Sequence, residues 1–130
     1  MTATAEKIDL LGGTVPHTNH LHLFTGNTPK NVVKFLELDT NDISRGMGIN
    51  KKSVRYDEKI PKELVQRLQE IAVICELVAI YFDGDAEKTA LWFRIKNPAL
   101  GGLAPRDMIR FGRFKKLEKF IRNALAGITV

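Results

Sequence analysis

The stretch PKELVQRLQEIAVICELVAIYF, residues 61–82, decides how this chain folds. Leu64, Leu68, Ile71, Cys75 and Val78 recur at intervals of three and four, the period of one helix face. Ile74, Leu77, Ile80 and Tyr81 widen that stripe around the helix. A helix apolar on so much of its circumference must be covered from two sides. Residues 61 to about 82 are therefore expected to form a central spine, begun by Pro61. No stretch elsewhere makes a convincing strand, so the elements that cover the spine must themselves be helices. The expected class is all-α, with six or seven helices.

Downstream, Asp83-Gly84-Asp85 stops the spine and caps a helix from Ala86 to about Ile95, which carries Ala90, Leu91, Trp92 and Phe93. Trp92, a large aromatic at a helix centre, is read as core packing. Asn97-Pro98-Ala99-Leu100-Gly101-Gly102 is a turn-forming run whose glycines reach conformations closed to other residues. Pro105 opens a short helix ending at Gly112. A final helix runs from about Arg113 to Ala126, with Phe114, Leu117, Ile121 and Leu125 on one face, and Gly127 ends it. Beyond it lies a short apolar tail, Ile128-Thr129-Val130.

Upstream, Thr28 followed by Pro29 reads as a cap with proline at the first helical position, and Val32, Val33, Phe35, Leu36 and Leu38 are the candidate core contacts. Thr40 reads as a second cap, opening a segment that ends near Gly46 to Gly48, and Asn50 as a third, opening a short helix across Lys51 to Tyr56. Thr40 to Asp57 satisfies the demands of a helix-turn-helix: Ser44 is the small residue, Gly48 the turn glycine, and Ile43, Met47, Ile49 and Val54 the packing contacts. The recognition helix would start at Asn50 and expose Lys51, Lys52, Arg55 and Tyr56 to DNA. Arg55 is the best candidate for a bidentate guanine contact. The expected layout is an arm over 1–27, a helix-turn-helix region over 28–60, and the spine with a small helical domain over 61–130.

The arm contains Gly12, Gly13, Pro16 and Gly26 and no sustained period. His17, His20 and His22 put three imidazoles in six residues, but no carboxylate or cysteine stands beside them, so the tract is only a compositional hint and no metal site is expected.

At 130 residues and 14.6 kDa, with 44% apolar content, the chain suffices for one compact domain or two very small ones. The single Cys75 excludes an internal disulfide and any multi-thiolate metal site. With no signal-peptide pattern and no spanning apolar run, a cytoplasmic protein without membrane contact is expected. The net charge of +5 is concentrated. Between Arg94 and Arg122 nine basic residues stand against Asp107 and Glu118, a local excess of +7. That field suits an anionic partner, or is simply a set of solvated helix faces. Phosphate-loop, zinc-protease and ordered Cys–His patterns are all missing, so no enzyme and no cofactor are expected.

The block Ala90-Leu91-Trp92-Phe93, followed by Asn97-Pro98-Ala99-Leu100-Gly101-Gly102-Leu103-Ala104-Pro105-Arg106-Asp107-Met108-Ile109, closely resembles the toxin-binding domain of the Xre/MbcA/ParS family of bacterial antitoxins. There a Trp-containing helix precedes an Asn-x-x-Leu-Gly-Gly-x-x-Pro turn, and the resemblance extends over about Thr28 to Val130, including an Xre-like helix-turn-helix. It implies a type II antitoxin that covers a RES-domain, NAD-consuming toxin with its C-terminal domain and binds its own operator DNA. Operators are usually palindromic, so the DNA-binding form is expected to be a homodimer joined through its N-terminal half. The toxin contacts expected on that footing are Asn97, Leu100, Gly101, Gly102, Arg106, Arg110 and the tail Ile128, Thr129 and Val130. A short tip beyond Gly127 can enter a neighbouring pocket with its carboxylate where a nucleotide phosphate would lie, so the tail is expected to occlude the toxin's NAD cleft. The alternative is a stand-alone helix-turn-helix regulator, whose basic C-terminal helices add phosphate contacts.

Overall fold

The computed structural model describes residues 19–127; His17 and the tail Ile128–Val130 lie outside them. The fold is all-α: six helices, with no strand among the described residues beyond one isolated bridge. They are α1 (Thr28–Leu36), α2 (Thr40–Met47), α3 (Lys62–Tyr81), α4 (Ala86–Arg94), α5 (Pro105–Arg110) and α6 (Phe114–Leu125). Single 3-10 turns stand at Lys51–Ser53 and Pro98–Leu100. None of the described helices is long and apolar enough to cross a membrane.

α3 is the spine its periodicity requires. Leu64, Leu68, Ile71, Ala72, Ile74, Cys75, Leu77 and Ala79 are essentially inaccessible. α1 packs on one side, and α4 and α6 on others. The core is continuous from Leu23, through Val32, Leu36, Ile43 and the α3 residues, to Phe93, Ile109, Leu117 and Ile121. Tyr81 departs from expectation, for it is 66% exposed although it continues the apolar stripe. Glu76, in the middle of that stripe, is wholly buried.

Two caps sit one residue earlier than the sequence reading places them. Asn27, rather than Thr28, caps α1, its side-chain oxygen accepting the Lys30 N–H. Asp39, rather than Thr40, caps α2 in a reciprocal box with Asp42. Each pair of neighbours holds two good capping residues, and carboxylate and amide oxygens outrank the threonine hydroxyl. Gly48 ends α2 with φ +65°, as a left-handed C-cap should.

The expected recognition helix across Lys51 to Tyr56 is not formed. Asn50 does cap, accepting the Lys52 N–H, but only the turn Lys51–Ser53 follows and Val54 is extended. Contacts around Asp57 and one long-range bond outcompete a helix. The Asp57 carboxylate takes the Arg55 guanidinium and the Lys59 N–H, the Asp57 carbonyl takes the Ile60 N–H, and the Asn27 amide holds the Tyr56 carbonyl. One isolated helical turn gains too little to displace them.

Candidate functional site

The Asn97–Leu103 turn is built by its own backbone. Asn97 is extended, and its side-chain oxygen accepts the Ala99 N–H at 3.0 Å. Its main-chain N–H donates to the Leu103 carbonyl at 3.0 Å, while its carbonyl accepts from Gly102 at 3.1 Å. The loop closes only if Gly101 and Gly102 take φ of +70° and +83°. An added Cβ at either would meet nothing within 4 Å, so backbone conformation and not crowding demands glycine. Leu100 and Leu103 tuck against the core, leaving Pro98, Ala99 and both glycines on the surface.

Beside this turn lies an apolar cleft of about 250 Å³ between the end of α3, α4 and α6. Val78, Tyr81, Phe82, Trp92, Phe120 and Leu125 line it, and Asn97 is its main polar neighbour. Trp92 packs edge-on against Phe93 with centroids 5.0 Å apart, so it joins the core on one side and walls the cleft on the other. Sequence reading missed the cleft because it placed Tyr81 inside; the available signal was the aromatic pair Tyr81-Phe82 just before the Asp83-Gly84 break.

The arginines expected to meet a toxin are engaged within the fold. Arg106 donates from Nε to the Leu36 carbonyl at 2.7 Å and from Nη2 to that of Glu37 at 3.0 Å, satisfying carbonyls at the end of α1. Arg110 donates to Asp42 Oδ1 and to Asp107 Oδ1, each at 2.9 Å, and so ties α5 to α2. Burial works against the Asp42 carboxylate, but the Asp39 N–H and the Arg110 guanidinium outweigh it and hold its pKa below the ordinary value. At the same junction Gly46 lets α2 approach the backbone of α5: a Cβ there would stand 2.5 Å from the Ile109 carbonyl oxygen.

The expected DNA contacts divide. Lys51 and Lys52 are exposed on the 3-10 turn that Asn50 caps. Arg55, expected to read guanine, grips Asp57 through both Nε and Nη2. Tyr56 is half-buried, and that burial pushes its phenol up from the usual value.

A further constellation escaped sequence reading. The segment Asn19 to Thr25 lies across α3, where the buried Glu76 carboxylate accepts N–H groups from Leu21, at 3.1 and 3.2 Å, and from Leu23, at 3.2 Å. His22, with φ +57°, turns those amides toward one anion in the manner of a backbone nest. From the other side the Asn31 amide donates to the carbonyls of Leu23, at 3.1 Å, and Thr25, at 2.7 Å. Burial pushes the Glu76 pKa up, and the strap amides and His20 pull it partly back. His20 itself stacks over Gly84, where a Cβ would stand 2.7 Å from Nδ1. Among the described residues no group of three or more metal-ligating side chains converges.

Comparison of the chain with models of known families, with curated proteins and with solved structures finds no match.

Proposed function

We propose that this chain is an antitoxin that binds a RES-domain, NAD-consuming toxin through its C-terminal half and neutralises it by steric occlusion. The observation that carries this reading is the cleft beside the Asn97–Leu103 turn, an aromatic-lined opening with Tyr81 exposed at its lip. Its volume, near 250 Å³, lies below the range of roughly 300–1,000 Å³ typical of small-molecule pockets. It suits instead one or two large anchoring side chains of a protein partner. α6 ends at Leu125, which itself lines the cleft, so a toxin seated there would contact the C-terminal end of this helix.

The test is co-expression with the RES-domain protein encoded beside this gene, with growth, cellular NAD and co-purification read together. Rescue with a stable complex is expected. Tyr81→Asp should weaken the complex about tenfold or more without unfolding the chain, because that side chain is mostly in solvent. Deleting residues 128–130 should weaken neutralisation while leaving a folded protein. The absence of both complex and rescue would refute the antitoxin reading.

A second reading, binding to operator DNA, is favoured by a cationic rim at the α2–α5 junction. Arg45 and Arg113 are exposed there, Lys51 and Lys52 are exposed on the 3-10 turn beside α2, and none of the four makes an ion pair among the described residues. Gly46 and Gly112 touch, which keeps the Cα atoms of Arg45 and Arg113 within about 13 Å of each other. With the recognition helix missing, such binding would rest on phosphate contacts. Operator affinity should then fall steeply with salt and discriminate weakly between sequences. A shallow salt slope would discard it.

A further inference from the structure

The outward face of α4 presents an apolar pair that nothing in the described chain covers. Thr89 and Phe93 are buried and define the inward direction of this helix. At 100° per residue Leu91 points to the opposite pole. Leu91 is 56% exposed and Ile95, just past the end of the helix, is 52% exposed. Glu87 and Arg94 flank Leu91 along one side, and Lys88 and Ile95 flank it along the other.

We propose that this face is a two-fold interface between two copies of the chain, with their α4 helices antiparallel and Leu91 on the axis. An isologous contact needs a self-complementary surface, and α4 supplies one. About a dyad at Leu91, position 87 of one copy comes level with position 95 of the other, and like flanks meet. Glu87 then faces Arg94 of the partner subunit, twice over. The Lys88 methylenes lie along Ile95 of the partner subunit, and the two Leu91 side chains close the centre. Parallel pairing would instead bring opposite flanks together, setting Glu87 beside Lys88 of the partner subunit but leaving Arg94 against Ile95 of the partner subunit with no acid to face. Arg94 already lies 3.3 Å from Glu37 in its own chain, so each cross-copy pair would extend an existing one. The inference rests on α4 alone and is independent of the toxin reading, whose cleft opens on the Trp92 side.

A nine-residue helix is short against the roughly 1,200–2,000 Å² that stable interfaces bury, so the dimer is expected to be weak and concentration-dependent. Sedimentation equilibrium of the full chain, from micromolar to millimolar, should show a reversible monomer–dimer equilibrium. Leu91→Lys should raise its dissociation constant about tenfold or more. Glu87→Arg and Arg94→Glu should each weaken it, and the double variant should recover most of the loss. Leu91→Cys adds a positional readout. Helix axes about 8–10 Å apart bring the two Cα atoms at a dyad within roughly 6 Å, inside disulfide range. Cys75 will not compete, because it is buried and burial raises its thiol well above the ordinary pKa. Mild oxidation should therefore cross-link Leu91→Cys into a covalent dimer. A chain monomeric throughout, a dimer indifferent to Leu91→Lys, or a double charge variant no better than its parents would each overturn the proposal.

Discussion

Glu76 and Tyr81 exchange the places their chemistry suggests. The acid is buried at the centre of α3, and the aromatic that continues the apolar stripe is in solvent. Glu76 is tolerated because Leu21 and Leu23 bring it N–H donors that have no other acceptor. Glu76→Ala should leave both amides unsatisfied and cost about 2–4 kcal/mol, with the strap amides losing hydrogen-exchange protection first. Urea denaturation would give the cost, and a change under about 0.5 kcal/mol would show that the strap is not held by this carboxylate. The pH dependence has a definite sign. Because the folded-state pKa of Glu76 is raised, its contribution is fully present below the unfolded value near 4.5 and is lost as pH rises through the folded value. Relative to Glu76→Gln, the native chain should therefore gain stability as pH falls from 7 toward 5. An unchanged difference across that range would remove the linkage.

At the scale of elements, helices were legible wherever periodicity and punctuation agreed. The spine, α4 and α6 follow from spacing alone, and Gly48, Asp85 and Pro105 mark boundaries by their backbone chemistry. The caps slipped by one residue at Asn27 and Asp39, because adjacent positions compete on local terms that spacing does not rank. The segment after Asn50 failed for a non-local reason, since Asn27 holds the Tyr56 carbonyl across 29 positions of sequence. Likewise the cleft and the strap are made by contacts between elements, which no period along the chain records. Of the expected site, the turn at Asn97–Gly102 was legible because its bonds are internal. Arg106 and Arg110 were not, because their acceptors lie about 70 residues away. Two outcomes test this level. Asp39→Ala should cost about 1 kcal/mol by removing the α2 capping box, while Thr40→Ala should cost much less. Gly101→Ala should cost about 1–2 kcal/mol through its positive φ alone, as read by thermal denaturation.

Across the whole molecule, the question is whether the regions before and after Pro61 unfold together. The core runs without a break from Leu23 to Ile121. Three further ties cross between the regions: Arg106 on the α1 carbonyls, Arg110 on Asp42, and the backbone contact at Gly46. Arg110→Ala leaves Asp42, only 6% exposed, without its cation, and should cost about 1–3 kcal/mol, discounted from a fully buried pair because Arg110 is partly in solvent. That loss should shrink in strong acid, since the folded-state pKa of Asp42 is depressed and the pair contributes only above it. Gly46→Ala should act at the same junction by a different route, forcing α2 off the Ile109 carbonyl at a cost of about 1–3 kcal/mol or more. If the molecule is one cooperative unit, both variants lower the midpoint of a single transition, and far-UV dichroism and Trp92 fluorescence melt together. Trp92 lies on α4, after Pro61, whereas Gly46 lies on α2, before it, so the second probe discriminates. Were the two regions separately stable, Gly46→Ala would shift the dichroism curve and leave the tryptophan curve where it was.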